Sequence, residues 1–229
     1  MMLKKSSCFK CVGQCDSCNN AMIKYGKTKL GNQRYYCKTC NNTKVGQYVY
    51  KAYESTINNN IVLLTKEGLG IRSAARVLQI STTTLLKRII AIAKNIPQPI
   101  ISNHKTYEVD EMRCFIKRKE KLIWIVYALE RDTKKVVSFT IGARTNKTLN
   151  VVLTALKLAK AKTIYTDGLK QYQFLIEKAV HKVIRFATNH IERNNLSMRT
   201  HLKRLNRKTI CFSRSFMVLQ CILRIYFWS

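Results

Sequence analysis

Three carboxylates in this sequence occupy places from which they could act on one substrate. Asp110 lies inside an alternating stretch at 105–115, Asp167 directly follows the strand-like 162–166, and Glu192 opens a helical segment that begins near Ile191. Carboxylates brought together repel one another and resist ionisation unless cations neutralise them. Hard oxygen donors of this kind suit magnesium or manganese. Paired ions of that type activate an attacking oxygen and stabilise the leaving oxygen of an in-line phosphoryl displacement. Simpler readings stand beside this one: Asp167-Gly168 is also a common turn, and Glu192 also suits a helix N-terminus through the helix dipole. Glu108 shares a strand face with Asp110 and is its chief rival, whereas Glu111 is expected to point the other way.

A second constellation is made of sulfur. Cys15-Asp16-Ser17-Cys18 and Cys37-Lys38-Thr39-Cys40 are two Cys-x-x-Cys knuckles separated by 18 residues, a spacing that lets two thiolate pairs close on one tetrahedral zinc. Turn residues around Gly26 and Gly31 separate short strand-like pieces such as Arg34-Tyr35-Tyr36, as a zinc ribbon needs. Four thiolates leave no open position, so the zinc is expected to be structural. Cys8 and Cys11 form a third pair that could replace Cys15 and Cys18; the later pair is favoured because it lies nearest the turns.

The elements that must position these groups can be read from periodicity. Apolar Ile61, Leu63 and Leu64 predict a helix over 60–67 that stops at Gly68-Leu69-Gly70. Ser73 is a candidate cap for a helix at 74–78, and Ser81 for one at 82–92. The last two make a helix-turn-helix whose second member would enter the major groove, with Thr82, Thr83, Thr84, Lys87 and Arg88 offered to bases or phosphates. Pro97 and Pro99 mark a linker. Beyond it, strands at 105–115, 122–129 and 136–141 are followed by a helix at 148–159, a strand at 162–166, a helix at 171–180, a strand at 182–186 and the helix near Ile191. The order β-β-β-α-β-α-β-α predicts an α/β fold, a mixed sheet covered by helices. The expected organisation is a ribbon module at 1–50, helix-turn-helix and linker at 51–100, and a catalytic domain at 101–229.

Composition agrees with a polyanionic partner. The 42 Lys and Arg against 12 Asp and Glu give a formal net charge of +30 on 229 residues, which points to nucleic acid. Hydrophobic residues make up 46% of the chain, enough for a real core. Six of the nine cysteines fall in the first 40 residues, and in a reducing compartment such crowding suggests metal before disulfide. The start Met1-Met2-Leu3-Lys4-Lys5 runs into polar sequence, and the apolar stretch at 216–228 carries Arg224 and is too short for a membrane span. A cytoplasmic, nucleoid-associated protein with no membrane partner is therefore expected.

Asp110-Glu111-Met112, Tyr165-Thr166-Asp167-Gly168 and the run from Ile191 to Arg199, Ile-Glu-Arg-Asn-Asn-Leu-Ser-Met-Arg, closely resemble the InsAB-type transposases of the first-named bacterial insertion-sequence family. So do the segments at 201–205 and 207–213, Gly31-Asn32-Gln33-Arg34-Tyr35-Tyr36-Cys37 and Arg72-Ser73-Ala74-Ala75-Arg76. The chain departs from these relatives in Arg113, where they often carry Trp, and in Asp16, where they often carry Pro. The resemblance implies a ribonuclease-H-like catalytic fold, Asp110, Asp167 and Glu192 as ligands of Mg²⁺ or Mn²⁺, and double-stranded transposon ends and target DNA as substrates of cleavage and strand transfer. It also implies that Arg199, two helical turns beyond Glu192, contacts DNA near the metals. Arg193, Lys203 and Arg204 extend this basic surface, and a homo-oligomer is the expected active assembly. A non-catalytic DNA-binding regulator and a nuclease that cuts without joining are the competing readings.

Overall fold

The structure is a computed structural model that describes residues 13–46 and 50–229. It contains two compact units, one ending at Glu54 and the other spanning Ser55–Ser229. Cys8 and Cys11 lie outside the described residues.

In the smaller unit, strands β1 (Ile23–Lys27), β2 (Gln33–Tyr36) and β3 (Thr43–Val45) form an antiparallel sheet in that order. The two knuckles repeat one local design. The amide of Cys15 donates to the carbonyl of Asn20, and the amide of Cys37 to that of Asn42, both at 2.9 Å. Each chain reversal passes through an asparagine in the left-handed region, Asn19 at φ 54° and Asn41 at φ 58°. Asparagine tolerates that conformation because its short polar side chain bonds locally. Cys15, Cys37 and Met22 are the buried centre of this unit, with Cys18, Cys40 and Tyr35 packed on them. Sulfur replaces most of the hydrocarbon that a longer domain would use.

The larger unit opens with helices α1 (Ile57–Lys66), α2 (Ile71–Val77) and α3 (Thr82–Asn95). Ser81 caps α3 as expected, its hydroxyl accepting from the Thr84 amide at 3.0 Å. Ser73 does not cap. The helix starts three residues earlier, behind Gly70, because the extended Gly70 backbone already supplies the carbonyl that accepts from the Ala74 amide. Gly68 holds φ +74°, and a Cβ there would sit 1.9 Å from the carbonyl oxygen of His201, so the turn after α1 depends on glycine twice over.

Strands β4 (Thr106–Ile116), β5 (Arg118–Glu130) and β6 (Val136–Gly142) form the antiparallel meander. Then follow α4 (Asn146–Leu158), β7 (Thr163–Tyr165), α5 (Lys170–Leu175), β8 (His181–Lys182), α6 (Asn189–His201) and α7 (Phe216–Trp228). The sheet order is β6-β5-β4-β7-β8, with β7 parallel to β4 and β8 parallel to β7. This is the ribonuclease-H-like arrangement, with β4 at its centre. Between β4 and β5 the chain reverses at Lys117, φ 65°, and the pairing shifts register from Ile116↔Arg118 to Phe115↔Leu122. Strand β8 is shorter than its expected span, and Phe186 lies in the left-handed region.

One face of the sheet buries Tyr107, Val109, Val126 and Ala128 against Leu149, Val152 and Leu156 of α4 and Tyr172 of α5. Helix α7 packs on α1, α3 and β6. Its Arg224 Nε donates to the Ile96 carbonyl at 3.0 Å, and Trp228 Nε1 to the Val136 carbonyl at 2.8 Å. The boundary expected near residue 100 therefore does not separate two compact units: the apolar stripe Leu85, Ile89 and Ala93 of α3 is buried, and α7 lies on that helix. Among the described residues no helix is long and apolar enough to cross a membrane.

Candidate active site

Strand β7 ends at Tyr165, opposite Glu108, so β4 runs on past it with a free edge at Asp110 and Glu111. Neighbouring residues of a strand point to opposite faces. Asp110 accordingly lies beside α6, and Glu111 lies on the α4 and α5 side. At a free edge both can curl toward the loop that follows β7. Asp110, Glu111 and Asp167 each place a carboxylate oxygen within 4.8 Å of the others. Glu111 stands on the strand face opposite Asp110, and its carboxylate still comes within 4.8 Å of those of Asp110 and Asp167.

The cluster is electrostatically costly. Asp110 Oδ2 accepts from Asn195 Nδ2 at 2.6 Å, and Oδ1 from the Glu111 amide at 2.7 Å. Burial nevertheless pushes its carboxyl up to about 6, and the charges of Asp167 and Glu111 add to the shift. Burial likewise raises Glu111, again with Asp167 contributing. Its Oε2 pairs with Arg144 Nη2 at 3.2 Å, while its Oε1, buried, has no hydrogen-bond partner. Asp167 is exposed, and its Oδ1 accepts from the Leu169 amide at 3.1 Å. Three crowded carboxylates, one with an unpartnered buried oxygen, fit a divalent cation with oxygen ligands.

Glu192 is not among the carboxylates brought together. It is exposed on the first turn of α6, where its Oε1 accepts from the Thr188 hydroxyl at 2.8 Å. One turn further on, Asn195 is the α6 residue that touches Asp110. Tyr127 of β5 fixes its orientation, the hydroxyl standing 2.9 Å from Asn195 Oδ1 and leaving the amide nitrogen for Asp110. Sequence reasoning missed Asn195, although consecutive asparagines are poor residues for a helix interior and signal a polar task. Arg199 is half-buried, its Nε without a partner, and burial lowers its pKa while the charge of Asp110 opposes that shift.

Glu108, the rival for the place of Asp110, has another task. It is 0% exposed. Its Oε2 accepts from the Ile191 amide at 2.9 Å, its Oε1 lies 2.7 Å from His190 Nδ1, and Arg131 stands 3.5 Å away. It ties the first turn of α6, and so the backbone next to Glu192, to β4.

In the ribbon the sulfurs of Cys15 and Cys40 are 3.3 Å apart, those of Cys18 and Cys37 3.4 Å, and those of Cys18 and Cys40 3.7 Å. All four fall in one group within 4.8 Å. A tetrahedron with sulfur about 2.3 Å from zinc has edges of about 3.8 Å, so the group is of the right size. The amides of Cys40 and Thr39 help to bring the Cys37 thiol down to about 6, and those of Ser17 and Cys18 lower Cys15 in the same way. Both knuckles thus present a thiol predisposed to ligate as thiolate.

On α3, Thr82, Thr83 and Lys87 are exposed, whereas Thr84 is half-buried at the cap. Arg88 Nη1 donates to Asn58 Oδ1 of α1 at 2.9 Å, which makes it a strut between helices as much as a reader. Arg193 and Lys203 are exposed; Arg204 is half-buried and its Nη1 approaches the Ser213 hydroxyl at 3.4 Å. His201 Nδ1 bonds the Tyr226 hydroxyl of α7 at 2.8 Å.

A family model described as IS1 transposase matches residues 105–227. The chain is 39% identical over 108 residues to the insertion element iso-IS1n protein InsB of Shigella dysenteriae, covering 47% of this chain and 82% of that relative. It is 35% identical, with the same coverage, to the insertion element IS1 protein InsB of Shigella flexneri. A chain in a simian T-cell lymphotropic virus intasome is similar at a TM-score of 0.37 and 17% identity, covering 71% of this chain and 66% of that one. With the match running from the start of β4 into α7, through the strands and helices that carry the acidic cluster, this chain belongs to the IS1 transposase family.

Proposed function

We propose that this DNA transposase binds the ends of an insertion sequence, cleaves them and joins them to target DNA, with Asp110, Asp167 and Glu192 as ligands of Mg²⁺ or Mn²⁺. The observation that carries the reading is the convergence of Asp110 of β4 and Asp167 of the loop after β7 at one free sheet edge, with α6 touching Asp110 through Asn195. Divalent ions there would activate the attacking oxygen and stabilise the leaving one. Asn195 and the Glu111 amide hold Asp110 in place, and Glu108 sets the turn from which Glu192 reaches the site on leaving Thr188. Arg199 contributes positive charge for a phosphate beside Asp110. A water attacks at each transposon end, and the freed 3′-hydroxyl then attacks the target, so no covalent bond to the protein is needed. The four ribbon cysteines hold a structural zinc, and the active assembly on DNA at the nucleoid is a homo-oligomer.

A labelled end duplex incubated with a supercoiled target and Mg²⁺ or Mn²⁺ tests this. Joined product is expected. Cuts without joining would make the protein a nuclease, and neither would make it a regulator.

Helix α3 is the proposed reader of the end sequence. Thr83→Ala or Lys87→Ala is expected to lower the preference for the proper end over random duplex by about 1 to 3 kcal/mol where a base contact is lost. Equal losses on both duplexes in a competition binding assay would remove the reading role. Arg88→Ala is expected instead to weaken both, through loss of its bond to Asn58.

A further inference from the structure

The small unit has little apolar material, yet it places two aromatic rings away from its centre. On β2, Tyr35 packs on the cysteine cluster. Tyr25 of β1 is instead 52% exposed, Ile23 beside it is 44% exposed, and Tyr36 is half-buried. Opposite residues of an antiparallel pair share a face, as do residues two apart along a strand. The pairing Ile23↔Tyr36 therefore puts Ile23, Tyr25, Arg34 and Tyr36 on the face turned away from Tyr35. The contacts agree. The Tyr25 and Tyr36 rings lie 5.2 Å apart at 33°, and the Arg34 guanidinium stands 5.5 Å from the Tyr25 ring centre.

Several bonds hold this face in shape. The strand register slips between Lys24 and Lys27, and Gly26 takes up the slip at φ 66°, the place of glycine in a bulge. Gln33 Nε2 fastens it by donating to the Gly26 carbonyl at 2.8 Å. The Tyr36 hydroxyl donates to Asn41 Oδ1 at 2.6 Å. Positive charge borders the rings. Between Gly13 and Gly46 the chain carries six Lys and Arg against one acid, Asp16, and Asp16 is paired with Lys44 at 2.8 Å. Strand β1 is an edge of the sheet, and its Lys24 and Lys27 are exposed.

A cross-strand aromatic pair also steadies a sheet; that role needs neither an exposed ring nor a guanidinium over it. A ligand that suits both features is flat and anionic. Nucleobases offer their faces to a protein when they are unpaired, because in a duplex they lie on one another. We propose that Tyr25, Tyr36 and Arg34 form a stacking platform for unpaired DNA, with bases against the rings and phosphates beside Arg34, Lys24 and Lys27. Strand cleavage frees single strands from a duplex end, and the platform holds one of them. This gives the ribbon a ligand different from the duplex read by α3. The inference rests on the reading of the chain as a protein that binds DNA ends, which the duplex arm of the test checks separately.

The test is fluorescence anisotropy of the zinc-loaded full chain with a labelled oligothymidylate and a labelled random duplex over a series of salt concentrations. Stacking is not screened as phosphate contacts are. Tyr25→Ala is therefore expected to weaken the single strand at least about fivefold at every salt concentration and the duplex less than about twofold, while Tyr25→Phe keeps both. Unchanged single-strand affinity in Tyr25→Ala, or equal losses on the two probes, would overturn the platform and leave duplex binding intact. A wild-type chain that binds neither probe at low salt would overturn the DNA reading itself. Should Tyr25→Ala lose its zinc, photocrosslinking of the wild-type chain to an oligothymidylate carrying 5-iodouracil decides the matter. Attachment to the Tyr25 or Tyr36 peptide is expected, and attachment confined to other peptides would overturn the proposal.

Discussion

Asp110→Asn is expected to abolish cleavage and joining while making the metal-free protein more stable. The activity loss follows from losing a ligand charge: metal stabilisation of the transition state is worth several kcal/mol, so about a thousandfold or more in rate. The gain in stability follows from burial. The Asp110 carboxyl titrates at about 6 in the folded chain, above its usual value near 3.9. The folded state therefore holds the proton more tightly than the unfolded state. The cost of the buried charge is absent below about pH 4, grows between about 4 and 6, and is fully present at pH 7. Asparagine removes it, a gain of about 1 to 3 kcal/mol, or roughly 2 to 12 °C in Tm without added metal.

Asp167→Asn and Glu192→Gln are expected to lose activity similarly with little change in Tm, since both side chains are exposed. Binding to an end duplex should persist or tighten as repulsion of phosphate falls. Glu108→Gln is expected to fold and lose activity only partly, because it keeps an acceptor for the Ile191 amide but no charge for His190 and Arg131. Gel separation of nicked and joined products and a thermal scan at pH 7 read all four. Full activity in the three variants Asp110→Asn, Asp167→Asn and Glu192→Gln would refute the mechanism, and an unchanged or lower Tm for Asp110→Asn would refute the burial argument.

Removing the ribbon metal is expected to unfold the small unit. Its buried centre is little more than Cys15, Cys37 and Met22, while structural zinc contributes roughly 10 to 16 kcal/mol of apparent binding energy coupled to folding. Cys37→Ser should bind about one zinc fewer per chain and lose preference for the transposon end more than affinity for random DNA. Cys8→Ser should keep its zinc. Metal analysis and far-ultraviolet circular dichroism after chelation follow both. If Cys8→Ser loses zinc and Cys15→Ser retains it, the ligand set is wrong.

The ribbon was legible because its order is local. Each knuckle closes through bonds spanning five residues, Cys15 to Asn20 and Cys37 to Asn42, so the spacing of the cysteines carried nearly all the geometry. The meander and the helix after it were legible for the same reason: alternation over 105–115 and the Ser81 cap are properties of neighbouring residues. Helix α2 was placed too late because a serine is a favourable cap wherever it falls, and only the Gly70 backbone decided the start.

By itself, then, the sequence determined the element order, the sulfur cluster, the basic surface and the presence of Asp110 and Asp167 at strand positions suited to a site. The tertiary structure decided what those positions mean. Strand parity puts Glu111 on the face opposite Asp110; β7 stops at Tyr165, and the loop after it brings Asp167 within reach of both carboxylates. In the sequence Glu108 is a rival to Asp110, until α6 docks and gives it the Ile191 amide and His190. Pairing length and helix docking are set by contacts between residues far apart in the chain, and no local pattern encodes them.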